Sequence, residues 1–138
     1  MAPSRHRGGD NIRVLFIEDD AAVAEMYKLK LELDGYEVTI VSGSDSVVDR
    51  AASLLRPDLV FLDVRRRQKE GIEILRAVRA TDATQHVPVI ILSNQRPQYM
   101  AGIGFGTDAM DYVIRVDPTL SSLTDPADTA DKANALRA

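Results

Sequence analysis

The chain has 138 residues, 45% of them hydrophobic, no cysteine and a formal net charge of −4. That length can close one sizeable core, while the missing thiols exclude disulfides, cysteine nucleophiles and thiolate metal sites. The negative balance argues against non-specific nucleic-acid binding, and no apolar run approaches the ~20 residues that span a bilayer.

Residues 1–10, with Arg5, His6 and Arg7, are basic and Gly-rich and lack an apolar centre. They read as a disordered leader and not as a secretory signal, and the expected location is cytoplasmic. Residues 12–17 are apolar and β-branched, the pattern of a buried parallel strand, and they run into Glu18-Asp19-Asp20. A helix is expected over about 20–34, with Ala22, Met26, Leu29 and Leu33 on its apolar face; Asp20 would start it and Gly35 would stop it. Residues 36–41 alternate as an edge strand does. Ser44 or Asp45 caps a second helix to about Leu55, with Val47, Val48, Ala51 and Leu55 inward.

The third strand, 59–62, runs into Asp63. After the basic loop 65–69, Gly71 opens a third helix that buries Ile74, Leu75 and Val78. Residues 87–92 form a fourth strand, with Pro88 near its start where a missing N–H is tolerable. A fourth helix is expected over 97–106, weakened by Gly102, Gly104 and Gly106 at roughly 1 kcal/mol each against alanine. The fifth strand is 111–114. The tail from 118, broken by Pro118 and Pro126, has room for a short or displaced helix near 127–136.

Strict strand–helix alternation implies an α/β fold of parallel strands with right-handed crossovers and helices on both faces. Five such strands suit a doubly wound, flavodoxin-like (βα)5 sheet of order 2-1-3-4-5 with a weak or irregular last helix. Its domain would occupy 11–117. That order makes the first and third strands neighbours, so their terminal carboxylates share one crevice at the ligand-binding edge of the sheet. Like charges so placed raise one another's pKa unless a cation joins them, and an oxygen-only donor set suits Mg²⁺. The fourth strand ends in Ser93 and the fifth in Arg115, adding a hydroxyl and a cation to the same edge.

Together these residues resemble the receiver domain of two-component response regulators. Glu18 and Asp19 align with the family's acidic pair, and Asp63, 44 residues after Asp19, with its phosphoacceptor. Ser93 stands 30 residues after Asp63 at the hydroxyl position, Tyr112 at the switch aromatic, and Arg115, 52 residues after Asp63, where the family has lysine. The stretch 57–63 and Gly71 also match.

The resemblance implies that Asp63 is a carboxylate nucleophile forming an acyl phosphate. It implies Mg²⁺ held by Asp19, Asp63 and the backbone carbonyl of Arg65, with Glu18 acting through water. Ser93 and Arg115 would contact the phosphoryl group, and Ser93 and Tyr112 would form the switch. The implied partners are a sensor histidine kinase or phosphotransfer protein, a downstream partner or output domain, and a second copy through the face of helix 4, strand 5 and helix 5. Neither direct nucleic-acid binding nor membrane binding is implied, and the chain would be a signalling switch, not a turnover enzyme.

The chain departs from the family at Arg115, Val116, Asn94 and the basic loop, which lacks the usual Met-Pro. These departures leave open a degenerate receiver that works by protein contact without phosphorylation, with Arg115 bridging Asp63. A haloacid-dehalogenase-type phosphatase fits poorly, because Arg65 stands where its second acid would be.

Overall fold

The computed structural model describes residues 11–43, 45–106 and 108–116. The expected leader and the whole of the expected tail, with its helix near 127–136, lie outside them. Five parallel strands form one sheet in the order β2-β1-β3-β4-β5. The three central strands are β1 (Arg13–Ile17), β3 (Leu59–Asp63) and β4 (Val89–Ser93). Their apolar residues, 14–17, 59–62 and 89–92, are buried on both faces, as parallel sheets covered by helices require. The edge strands β2 (Glu37–Val41) and β5 (Asp111–Arg115) are only partly buried. Register sets the site: Ile17 pairs with Leu62, Asp63 with Leu92, and Ser93 with Arg115. Glu18 and Asp63 therefore leave neighbouring strands at the same level.

The connecting helices are α1 (Ala21–Leu33), α2 (Asp45–Leu55), α3 (Gln68–Ala80) and α4 (Pro97–Gly102). Two apolar clusters lie on opposite faces of the sheet. One joins α1, through Tyr27 and Leu31, to Phe16, Phe61 and Leu92. The other packs Val48, Ile74, Leu75 and Met100 against Leu15, Leu62 and Ile91. In the first, Phe16 stacks on both Tyr27 and Phe61, with ring centroids 5.4 and 5.2 Å apart. Such pairs add about 0.5–1.5 kcal/mol each beyond burial.

Two helix faces differ from the sequence expectation. In α1 the buried residues are Ala24, Tyr27 and Leu31, whereas Met26, Leu29 and Leu33 are 42%, 63% and 75% exposed. Both sets have helical spacing, because α1 carries apolar residues nearly all round. The stacking of Tyr27 on Phe16 turns its own stripe inward. In α2, Val48 and Ala52 are buried and Val47 is exposed, while Ala51 and Leu55 pack at the margin.

The helix expected over 97–106 stops at Gly102. Gly104 and Gly106 have φ of +112° and +76°, a region that favours glycine. This turn drives the fully buried Phe105 back into the core, where its N–H donates to the Met100 carbonyl at 2.9 Å. The glycines are thus the chain reversal that follows α4. The third helix starts at Gln68, three residues ahead of Gly71.

Candidate functional site

At the carboxyl edge of the sheet, a cavity of about 280 Å³ is lined by Glu18, Asp19, Asp20 and Asp63, with Arg66 and Arg67 beside them. Ile17, Leu62, Gly71 and Ile74 supply its apolar walls. This lies just under the roughly 300–1,000 Å³ of pockets for drug-sized ligands, so its size suits a small hydrated ion or a phosphoryl group.

Each acid is placed by its backbone. Glu18 follows β1 directly, and its N–H donates to the Val41 carbonyl at 3.0 Å. Asp20 caps α1: its Oδ1 accepts from the N–H groups of Ala22 (3.0 Å) and Val23 (3.1 Å). Those bonds, chiefly the one from Val23, hold its pKa below the ordinary value, with help from Arg66. Asp19 accepts from the Gly43 N–H at 3.2 Å. Asp63 is the last residue of β3, and its side chain is only 6% exposed.

The loop after β3 delivers one arginine to each of three acids. Arg65 holds Asp63 with a guanidinium fork: Nη2 to Oδ2 at 2.6 Å, and Nε to Oδ1 at 3.0 Å and to Oδ2 at 3.2 Å. The Arg65 backbone N–H is a third donor and makes a fourth bond, to Oδ1 at 3.0 Å. Arg66 pairs with Asp20 at 2.9 Å, and Arg67 pairs with Asp19. Reading 65–69 from the sequence as a basic loop does not reveal these pairs. The available signal was the equal count, with three arginines two to four residues after Asp63 facing Asp19, Asp20 and Asp63.

Burial and the hydrogen bond with Asp63 push the Glu18 carboxyl well above its ordinary range. Burial pushes Asp63 upward too, but hydrogen bonds from Arg65 and Glu18 outweigh it and keep the carboxylate ionised. A raised Glu18 beside a lowered Asp63 is the pattern of two neighbouring carboxyls that compete for one proton. Arg65 is held above its ordinary pKa by Asp63 despite partial burial. Its guanidinium lies 5.9 Å from the centroid of Tyr27, inside the range of a cation–π contact.

Ser93 is fully buried at the end of β4. Its hydroxyl closes a local turn, accepting from the Gln95 N–H at 2.8 Å and donating to the Gln95 carbonyl at 3.1 Å. Arg115 ends β5 exposed, and lines a second cavity with Gln95, Arg96, Gln98 and Tyr99. The ionic partner of Asp63 is Arg65 and not Arg115, so the bridge that the phosphorylation-independent reading expects is not made. Tyr112 is a partly buried strand aromatic packed against the α1-side core.

Among the described residues no three acidic or imidazole groups are gathered into a closed metal cage. Asp19 and Asp63 are turned to Arg67 and Arg65 instead. The donor chemistry nevertheless fits a hard divalent cation: every side chain offered is a carboxylate. Glu18 and Asp63 disfavour each other's charge, the setting in which a cation is favoured, and the Arg65 guanidinium lies 2.6 Å from Asp63 and 4.0 Å from Glu18.

A family model described as the response regulator receiver domain matches residues 14–116. The DNA-binding response regulator MtrA of Mycobacterium tuberculosis is 31% identical over 103 residues, covering 75% of this chain and 43% of that protein. An uncharacterized transcriptional regulatory protein of Bacillus subtilis, YkoG, is 34% identical over 102 residues, covering 74% and 43%. The chain thus spans less than half the length of these curated relatives. Among solved structures, the receiver domain of a signal transduction histidine kinase from Syntrophus aciditrophicus superposes with a TM-score of 0.71 at 25% identity, covering 89% of each chain. A chemotaxis response regulator of Vibrio cholerae gives 0.69 at 22% identity, over 88% of this chain and 98% of that one. At that identity the second likeness speaks for the fold alone.

Proposed function

The chain belongs to the response regulator receiver domain family, and on that premise we propose that Asp63 is its phosphoacceptor in two-component or phosphorelay signalling. The observation that carries this reading is the state of Asp63 itself. It ends a central strand, faces the acidic cavity, and stays ionised although nearly buried. An ionised carboxylate can attack phosphorus without first losing a proton.

Glu18, Asp19, Asp63 and the Arg65 carbonyl are the groups that would hold Mg²⁺. When bound, the ion screens the charge of the incoming phosphoryl oxygens. Ser93 offers a hydroxyl to the modified carboxylate once its turn with Gln95 opens, and Tyr112 is the aromatic available to follow it. The donor would be a sensor histidine kinase or a phosphotransfer protein, with the cytoplasm as the compartment. A downstream partner or output domain would read the result, with pairing of two copies through α4 and β5 as one route. The activity is that of a switch, with self-phosphorylation and slow loss of the group as its only chemistry.

Incubation with acetyl phosphate or phosphoramidate and Mg²⁺, followed by intact mass, tests the reading. One added phosphoryl group is expected on the wild type and none on Asp63→Asn. An unlabelled wild type, under conditions that label a control receiver, would overturn it.

A further inference from the structure

The cation on Asp63 does not come from β5. Arg115, which ends that strand, is exposed and lines a different cavity. Arg66 and Arg67 are engaged with Asp20 and Asp19. Arg65 alone among the described residues forms an ion pair with the Asp63 carboxylate, and its side chain touches both oxygens. We propose that Arg65 is a catalytic residue of phosphoryl transfer, the cation that orients the Asp63 carboxylate and neutralises charge at the reacting oxygens. This rests on the reading of Asp63 as phosphoacceptor.

Three features of the geometry carry the assignment. First, the contact is a fork on the reacting atoms: two side-chain nitrogens span Oδ1 and Oδ2, and the backbone N–H adds a bond to Oδ1. A planar guanidinium fixes the plane of a carboxylate in a way that a single ammonium cannot. Second, Asp63 lines the cavity, whereas Arg65 is not part of its lining. The guanidinium reaches the carboxylate from the side of Tyr27, 5.9 Å from that ring's centroid. The cavity side of the nucleophile is therefore left open to a donor. Third, the side chain is 21% exposed and braced by Tyr27, which itself stacks on Phe16 in the core. The cation is thus positioned before any donor arrives, the condition under which electrostatic stabilisation is most effective.

The step is balanced without any further reagent when the donor is an acyl phosphate. One Asp63 oxygen forms a bond to phosphorus as the bond from phosphorus to the donor's acyl oxygen breaks. The electron pair leaves with the donor's carboxylate, and no proton is transferred. Both reactants are anions, so their mutual repulsion opposes the approach. A cation on the attacking carboxylate relieves it. Afterwards the Asp63 side chain bears a phosphoryl group with nearly two negative charges, one bond beyond the oxygens that Arg65 already touches.

The test compares phosphorylation rates from acetyl phosphate, read by intact mass over a range of donor concentrations, with circular dichroism as a check of fold. Arg65→Ala is expected to slow labelling on the order of a hundredfold to a thousandfold, the scale for removing one preorganised charge-stabilising donor. Arg65→Lys restores part of the rate, since it keeps the charge and loses the fork. Arg115→Ala is expected to cost less than Arg65→Ala, and Lys69→Ala, which removes a nearby cation from the first turn of α3, leaves the rate unchanged. If Arg65→Ala does not fold, Arg65→Gln takes its place.

A second measurement involves no chemistry. With Mg²⁺ and beryllofluoride, the bound-fluoride ¹⁹F signal of the wild type should need more reagent to appear in Arg65→Ala. Labelled wild type with an equally fast or faster Arg65→Ala, or equal beryllofluoride affinity, overturns the role of Arg65 and leaves Asp63 as phosphoacceptor. Wild type and Arg65→Ala both unlabelled overturn the two readings together.

Discussion

Tyr27 supports the Arg65 guanidinium on its ring, 5.9 Å from the centroid, and stacks on Phe16 at 5.4 Å. One side chain therefore joins the α1-side core to the cation that holds Asp63. Tyr27→Ala removes both contacts and opens a cavity in that core, which should lower stability by about 3–5 kcal/mol. Tyr27→Phe keeps the ring, and with it the stack on Phe16 and the contact with the Arg65 guanidinium, so it should cost far less. Urea unfolding of both variants checks the ranking, and equal losses would show that the ring is not what matters.

Gly71 in α3 has no room for a side chain. A Cβ there would sit 2.5 Å from Val64 Cγ1 and 3.3 Å from Phe105 Cζ. Gly71→Ala gains about 1 kcal/mol of helix propensity but overpacks the core by roughly 1–3 kcal/mol, so a net destabilisation is expected. Adding Val64→Ala should recover part of the loss. Strictly additive effects in that double variant would contradict the close contact.

The proton for which Glu18 and Asp63 compete makes the stability of the metal-free protein depend on pH in a stated direction. Burial and Asp63 raise Glu18 from 4.5 to about 8, so between those values the folded state holds a proton that the unfolded chain has released. Stability from this group is full below 4.5, falls as pH rises and is exhausted above about 8. Asp63, held low by Arg65, acts oppositely: its contribution is present above 3.8 and is lost as pH falls through its folded value. Urea midpoints with a chelator present should therefore carry a declining component across the neutral range that Glu18→Gln abolishes. Identical slopes in the two proteins would count against that competition.

Arg67 pairs with Asp19, so a divalent cation bound there would have to compete with it. Both partners are about two-fifths exposed, so the pair is worth at most about 1 kcal/mol. Arg67→Ala should then tighten Mg²⁺ binding by roughly two- to fivefold at fixed ionic strength, since 1.4 kcal/mol corresponds to tenfold. Asp19→Asn should weaken it. Calorimetric titration at two salt concentrations checks both, and weaker binding in Arg67→Ala would contradict the competition.

The sheet was legible because its signal is local. Residues 12–17, 59–62 and 87–92 are continuous apolar runs, and the alternation of elements left one common strand order. The positions of Glu18, Asp19 and Asp63 followed from the ends of those runs. The inward face of α1 did not, because apolar residues on several faces give a periodicity argument no unique answer. The loop pairs were hidden for another reason. Arg66 reaches Asp20 across 46 residues of chain, and nothing in either segment alone specifies that the two loops meet. Arg65 was the legible exception, two residues from Asp63, but the similarity of Arg115 to a family position drew attention to the far strand.

Two of the arginine pairs connect different loops. Arg66 to Asp20 and Arg67 to Asp19 fasten the segment after β3 to the segment after β1 at adjacent points. Two adjacent pairs tie the loops at two points, each of them weakly, because exposed ion pairs contribute little. Because both fastenings are ionic and solvent-facing, dissolved salt loosens them over a Debye length of about 8–10 Å. The breadth of the opening above Asp63 is therefore a property that the surrounding electrolyte can tune, without any change in the sheet beneath.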